Sequence, residues 1–165
     1  MTDDTHVAIE ALRQAMRNEE ATRDFYLEAA GKVLDVKGRK IFGELAEEES
    51  VHMTIVRKQY ESLKAGLGWT AVADFGHLQD VDITPLQYRR DQMKARVRES
   101  TTDLDALVLA AEMENNSFTY YTEQYRIAVD PLARKLYGSL IKAERNHFNI
   151  VMSNWEALVN TGFWA

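Results

Sequence analysis

Cysteine is absent from the 165-residue chain, which excludes disulfides, thiol catalysis and any thiolate site for zinc or an iron–sulfur cluster. Proline occurs only twice and glycine eight times, too little turn chemistry for a many-stranded sheet. No apolar run approaches the roughly 18–20 residues that span a bilayer. The start, Met1-Thr2-Asp3-Asp4, is acidic and lacks an apolar stretch, so no signal peptide is expected. Excess positive charge is missing too: a net charge of −6 argues against nucleic acid or an anionic membrane as partner. With 45% apolar and 28% charged residues, the balance is that of a soluble globular protein. The expectation is a cytoplasmic, helical, single domain over residues 1–165, long enough to bury a core without covalent staples.

What the chain does have is an internal repeat. Displaced by 95 positions, residues 11–63 overlie 106–158 without a gap, and 17 of the 53 pairs are identical. Chance overlap of such compositions gives roughly three or four, so the match is a duplication. The halves run from about 5 to 65 and from about 101 to 160, joined by a connection of about 66–100.

Each half reads as two helices. Leu12, Met16, Glu19 and Tyr26 fall on one helical face, as do Leu107, Ala111, Glu114 and Tyr121. Phe42, Leu45, Glu49, His52, Val56 and Leu63 form a second stripe, matched by Tyr137, Leu140, Glu144, His147, Val151 and Leu158. Asp35 and Asp130 precede the second helix of each half, and Asp130-Pro131 is a good N-cap followed by a first-turn proline. Short turns make each pair antiparallel. The long connection lets the second and third long helices run parallel, as in a ferritin-like four-helix bundle with one crossover. Within that crossover, residues 66–83 read as an ordered strap, and Thr84-Pro85 predicts a short extra helix over 85–98.

The chemistry lies where the stripes break their own rule. Glu19, Glu49, His52, Glu114, Glu144 and His147 sit on faces otherwise made of Leu, Met, Val, Phe and Tyr. Ionised carboxylates are costly in a core unless paired or bound to a cation. Four negative charges against two divalent cations is neutral. The i, i+3 spacing of Glu49-x-x-His52, repeated in Glu144-x-x-His147, lets both side chains of a pair reach the same metals. Carboxylate and imidazole without sulfur suit iron or manganese, and zinc less decisively. The bland alternative, a copied structural ion-pair network, lacks the cations to balance it.

At these residues the chain resembles the ferritin-like carboxylate-bridged di-iron proteins, and the rubrerythrin family most closely, across the whole four-helix core. The same ligand set resembles that of bacterioferritin. The resemblance implies two iron ions bridged by Glu49 and Glu144. It makes Glu19 with His52, and Glu114 with His147, the terminal ligands. Tyr26 and Tyr121 match family tyrosines that hydrogen-bond the ligand carboxylates. The implied activity is reduction of hydrogen peroxide or O2. Two alternatives are an iron-handling ferroxidase and a metal-bound scaffold holding zinc or manganese without redox cycling.

The departures from the family pattern matter. Rubrerythrins carry an extra glutamate one turn after the third-helix ligand; here that position is Ser117, and Glu112 lies on another face. Typical rubrerythrins also end in an iron–cysteine domain, and without cysteine a separate electron-donor protein is the expected partner. The basic run Arg89, Arg90, Lys94, Arg96 and Arg98 reads first as a solvated helix face, with docking of an acidic donor as the sharper alternative. His77 reads as a loop histidine, and His6 as part of an unstructured terminus. Phe163 and Trp164 are expected to pack at a dimer contact or at the bundle end. A homodimer is the default assembly, two-fold oligomers being commonest.

Overall fold

The computed structural model describes residues 3–72, 80–97 and 101–165. Among the described residues there are five helices and no strand: α1 (Asp3–Lys32), α2 (Val36–Lys64), α3 (Arg90–Arg96), α4 (Thr102–Ile127) and α5 (Pro131–Thr161). Helices α2, α4 and α5 start where short polar side chains satisfy otherwise unpaired backbone donors. Asp35 accepts from the N–H groups of Lys37 and Gly38 at 2.8 and 3.2 Å. Asp130 does the same for Leu132 and Ala133 at 2.8 and 3.3 Å. Thr101 caps α4 by accepting from Leu104 N–H at 3.2 Å. At the other end of α5, Gly162 adopts φ 76°, the left-handed conformation that closes a helix.

Only residues 33–35 separate α1 from α2, and 128–130 separate α4 from α5. Each pair therefore folds back on itself, and these two hairpins are the two halves of the repeat. Their apolar faces build two clusters. One gathers Tyr26, Phe42, Leu45, Leu107, Val151 and Trp155; the other gathers Leu12, Val56, Phe118, Tyr121, Leu136 and Leu140. Helices α1 and α5 pass from the second cluster to the first, and α2 and α4 from the first to the second. Thus α2 and α4 run parallel, the ferritin-like arrangement. On every long helix the buried glutamate lies between the two clusters, so the core is two apolar blocks separated by one polar layer.

A chain that must restart a parallel helix has to travel the length of the bundle. The described parts of the crossover are pinned as they do so. The Gln59 side chain clasps Thr70, accepting from its backbone N–H at 3.0 Å and donating to its carbonyl at 3.1 Å. Trp69 packs edge-on against Tyr137 with ring centroids 6.2 Å apart. Arg145 on α5 donates to the carbonyls of Asp82 and Thr84.

The short helix differs from expectation. It spans Arg90–Arg96 rather than 85–98. Thr84 is held instead in a turn, its N–H donating to the Asp82 carboxylate at 2.9 Å. Beyond Pro85 the strand-like spacing of Leu86 and Tyr88 turns both inward, and only then does the helix start, burying Met93. An extended residue covers about 3.3 Å against 1.5 Å in a helix, which suits a strap spanning the bundle. His6 also departs from expectation: it is exposed, but it belongs to α1. Phe75, His77, Arg98 and Ser100 lie outside the described residues.

Candidate metal centre

All six side chains singled out by the repeat converge in the polar layer. Glu19, Glu49, His52, Glu114, Glu144 and His147 are buried, none more than 4% exposed. Helix α1 contributes Glu19, α2 Glu49 and His52, α4 Glu114, and α5 Glu144 and His147. Their donor atoms sort into two groups. Around the His52 Nδ1 lie Glu19 Oε2 at 3.4 Å, Glu49 Oε2 at 3.2 Å and Glu144 Oε1 at 3.5 Å. Around the His147 Nδ1 lie Glu49 Oε1 at 3.0 Å, Glu114 Oε1 at 3.6 Å and Glu144 Oε2 at 3.8 Å.

Glu49 and Glu144 thus turn one oxygen toward each histidine, while Glu19 and Glu114 each face one. Two overlapping donor sets result, each of three carboxylates and one imidazole, with donor atoms within 4.8 Å of one another. The two imidazole rings stack at 5.4 Å. Glu19 Oε2, Glu114 Oε2 and both oxygens of Glu144 are buried and accept no hydrogen bond of ordinary geometry. Buried acceptors in native proteins are nearly always satisfied, so four orphaned carboxylate oxygens facing one space mark a place for cations. The donor set, hard oxygens with two imidazoles, fits a pair of divalent first-row metals.

The electrostatics point the same way. Burial, and then the charges of Glu114 and Glu19, push the Glu49 carboxyl up to about 8. Burial and the charges of Glu49, Glu19 and Glu114 raise Glu144 well above the ordinary carboxylate range. Glu19 feels the same burial, but contacts with His52 and Glu49 outweigh it and lower its pKa. Glu114 is lowered likewise, by His147 and Glu144 against burial. Both histidines are raised despite burial: His52 by Glu144, Glu19 and Glu49, and His147 by Glu114, Glu48 and Glu49. Without metal, burial and mutual repulsion thus favour protons on Glu49, Glu144 and both imidazoles, where cations would otherwise neutralise the cluster.

The tyrosines reach across the repeat. The Tyr26 hydroxyl donates to Glu114 Oε1, and the Tyr121 hydroxyl to Glu19 Oε1, both rings being fully buried. Sequence reasoning missed Glu48, whose Oε2 lies 2.6 Å from the His147 Nε2. A carboxylate behind a candidate ligand imidazole is the usual way such a ring is oriented. The available signal was position: Glu48 lies four residues before His52, on the side of α2 that meets α5.

The remaining candidates stay outside the cluster. Ser117 is buried one turn beyond Glu114 and offers a hydroxyl where a fifth acid would stand. Glu112 faces α3 instead, with Arg90 at 3.8 Å. In the basic run, Arg96 lies over the Trp155 ring at 4.9 Å and donates to Asn160 at 3.1 Å. Arg89, Arg90 and Lys94 are exposed. Trp164 is buried at the bundle end against Phe42, whereas Phe163 is exposed. No helix among the described residues is long and apolar enough to cross a membrane.

Comparison with protein families agrees with the geometry: the rubrerythrin family profile matches residues 10–153, spanning all four long helices. The chain belongs to the rubrerythrin family. Among solved structures, a hypothetical protein from Pyrococcus furiosus is similar in fold, with a TM-score of 0.67 and 22% identity. That similarity covers 93% of this chain and 90% of the other. Among curated proteins no match was found. As a rubrerythrin-family bundle, the chain carries a buried carboxylate–histidine cluster that could hold metal.

Proposed function

We propose that this rubrerythrin-family chain is a di-iron oxidoreductase that reduces hydrogen peroxide or O2 with electrons from a separate donor protein. The observation that carries the reading is the split of Glu49 and Glu144, each with one oxygen toward His52 and the other toward His147. Carboxylates so placed suit bridging of two metals, with Glu19 and His52 on one and Glu114 and His147 on the other. An iron pair, when bound, supplies the two electrons that take hydrogen peroxide, with two protons, to two waters.

The chain's own residues would do the rest. Four glutamates balance two divalent charges, so loading leaves the buried layer neutral. Tyr26 and Tyr121 hold the terminal carboxylates in place through their hydroxyls. The two apolar clusters keep bulk water from both sides of the layer.

Anaerobic iron loading tests this directly. About two irons per chain, followed by a new near-ultraviolet band on peroxide addition and its loss on adding reductant, is the expected result. Metal that stays bound and unchanged by peroxide would refute it. Ser117, standing where rubrerythrins carry their extra glutamate, favours a second reading in which the site handles iron or holds a non-cycling metal. A ferroxidase would turn over added Fe(II) without a reductant; a scaffold would lose stability on chelation and consume no oxidant.

A further inference from the structure

Glu48 has no counterpart in the repeat. The 95-residue displacement that pairs Glu49 with Glu144 and His52 with His147 pairs Glu48 with Ala143. Ala143 lines a cleft of about 340 Å3 between α2 and α5, together with Val51, His52, Ser139 and Asn146. Glu48 stands at the edge of the same cleft, its side chain 55% exposed, and sends Oε2 inward to the fully buried His147.

We propose that Glu48 is a positioning residue for one metal of the pair, the one bound by His147 and Glu114. The inference rests on the two-metal reading of the site. The Nε2 of His147 meets Glu48 at 2.6 Å, while its Nδ1 faces Glu49, Glu114 and Glu144. A hydrogen bond from Nε2–H fixes the tautomer that leaves the Nδ1 lone pair aimed into the site. It also fixes the ring's rotation and raises the basicity of the donor nitrogen. Because Ala143 stands at the equivalent position, the other half does not supply a carboxylate from the same place in the repeat. Glu48 being half-exposed on the helix surface, its removal leaves the apolar blocks intact.

Cobalt(II) titration of the metal-free chain, followed by its visible absorption, tests this. Glu48→Ala is expected to weaken one of two cobalt ions by about 10- to 100-fold and leave the other unchanged. Glu48→Gln keeps an acceptor for the same N–H and is expected to restore most of the lost affinity. In a Glu19→Gln background Glu48→Ala keeps its effect on the ion that remains; in a Glu114→Gln background it has none. Two cobalt ions bound with unchanged constants in Glu48→Ala would overturn the inference alone. So would equal weakening of both ions together with a lowered melting temperature, or a Glu48→Gln chain as weak as Glu48→Ala. A wild-type chain that takes up one cobalt ion or none would overturn the two-metal reading itself, and this inference with it.

Discussion

Tyr26 on α1 donates its hydroxyl to Glu114 on α4, and the duplicated Tyr121 on α4 returns the bond to Glu19 on α1. Each half of the repeat therefore holds a buried carboxylate of the other. This reciprocity ties two hairpins that otherwise pack mainly within themselves.

Tyr26→Phe tests that tie. Its ring stacks on Phe42 with centroids 5.8 Å apart, so phenylalanine preserves the packing and removes only the hydroxyl. A buried carboxylate oxygen that loses its donor costs about 1–3 kcal/mol. Denaturant unfolding of the metal-free chain is expected to show that loss for Tyr26→Phe, and a similar one for Tyr121→Phe. Unchanged stability in both would mean the hydroxyls do not hold the carboxylates.

Metal loading should release protons. Glu49, Glu144 and both histidines are all raised, so the empty site favours protons on two carboxyls and two imidazoles, which these groups must give up to bind metal. Two divalent cations should displace about four protons per chain, which keeps the layer neutral in both states. At pH 9 the number should fall to about three, because Glu49 titrates at about 8. Calorimetry in buffers of different ionisation enthalpy counts them. Release of fewer than two at pH 7 would contradict this picture of the empty cluster.

The same groups set how the metal-free fold responds to pH. Glu49 binds its proton more tightly folded than unfolded, its carboxyl moving from 4.5 to about 8. That contribution is complete below pH 4.5 and is lost as pH rises through about 8. The raised histidines act in the same direction above their ordinary value of 6.5. Glu19 and Glu114 act oppositely: lowered from 4.5, they stabilise above that pH and cease to do so as pH falls through their folded values. In chelator, the melting temperature should therefore fall steadily from pH 6 to pH 9. With metal bound it should hold or rise over the same range, since deprotonated ligands bind more tightly. A melting temperature that climbs with pH in chelator would refute the assignment.

The layout of the bundle and its six ionisable core residues was legible because one constraint wrote both. A duplication doubles every signal, and a glutamate on an apolar stripe stands out wherever it occurs twice in register. Glu48 escaped for the converse reason. It is the middle of three consecutive glutamates, Glu47-Glu48-Glu49, and faces Ala143 in the repeat, so comparison of the halves hides it. The start of α3 was misplaced because Thr84-Pro85 carries a genuine helix-start signal. The inward alternation of Leu86 and Tyr88 outweighed it, supported by the Asp82 turn and by Arg145. That anchor comes from a residue some sixty positions away, which local pattern cannot reveal.

Two glycines on one helix should respond oppositely to alanine. Within a helix, glycine to alanine ordinarily stabilises by about 0.5–1 kcal/mol. At Gly43 nothing stands within 4 Å of an added Cβ, so Gly43→Ala should gain about that much. At Gly38 the new atom would lie 2.6 Å from the Trp164 ring and from Val33. Trp164 has little room to yield: it meets Phe42 edge-on at 5.6 Å and donates its ring N–H to Asp103 at 3.1 Å. Gly38→Ala should cost about 1–3 kcal/mol, read from the shift in denaturant midpoint. A stabilised Gly38→Ala would mean the chain end does not seal the bundle there.

Glu144→Gln separates what the cluster does for folding from what it does for metal. Neither oxygen of Glu144 accepts a hydrogen bond of ordinary geometry, and burial with three acidic neighbours favours the protonated carboxyl in the empty site. A neutral amide of the same shape replaces a neutral acid, so metal-free stability should be unchanged or slightly higher. Glu19→Gln should behave oppositely. Glu19 is lowered and ionised beside His52, and removing its charge leaves an imidazolium with less compensation. For metal the order reverses. Glu144 turns an oxygen toward both histidines, so Glu144→Gln should reduce uptake from two ions to one at most. Glu19 faces only His52, so Glu19→Gln should weaken one ion and spare the other. Urea unfolding in chelator and metal content after loading, on the same two variants, read both effects. If Glu144→Gln kept both ions, Glu144 could not be a bridge, and the case for a metal pair would rest on Glu49 alone.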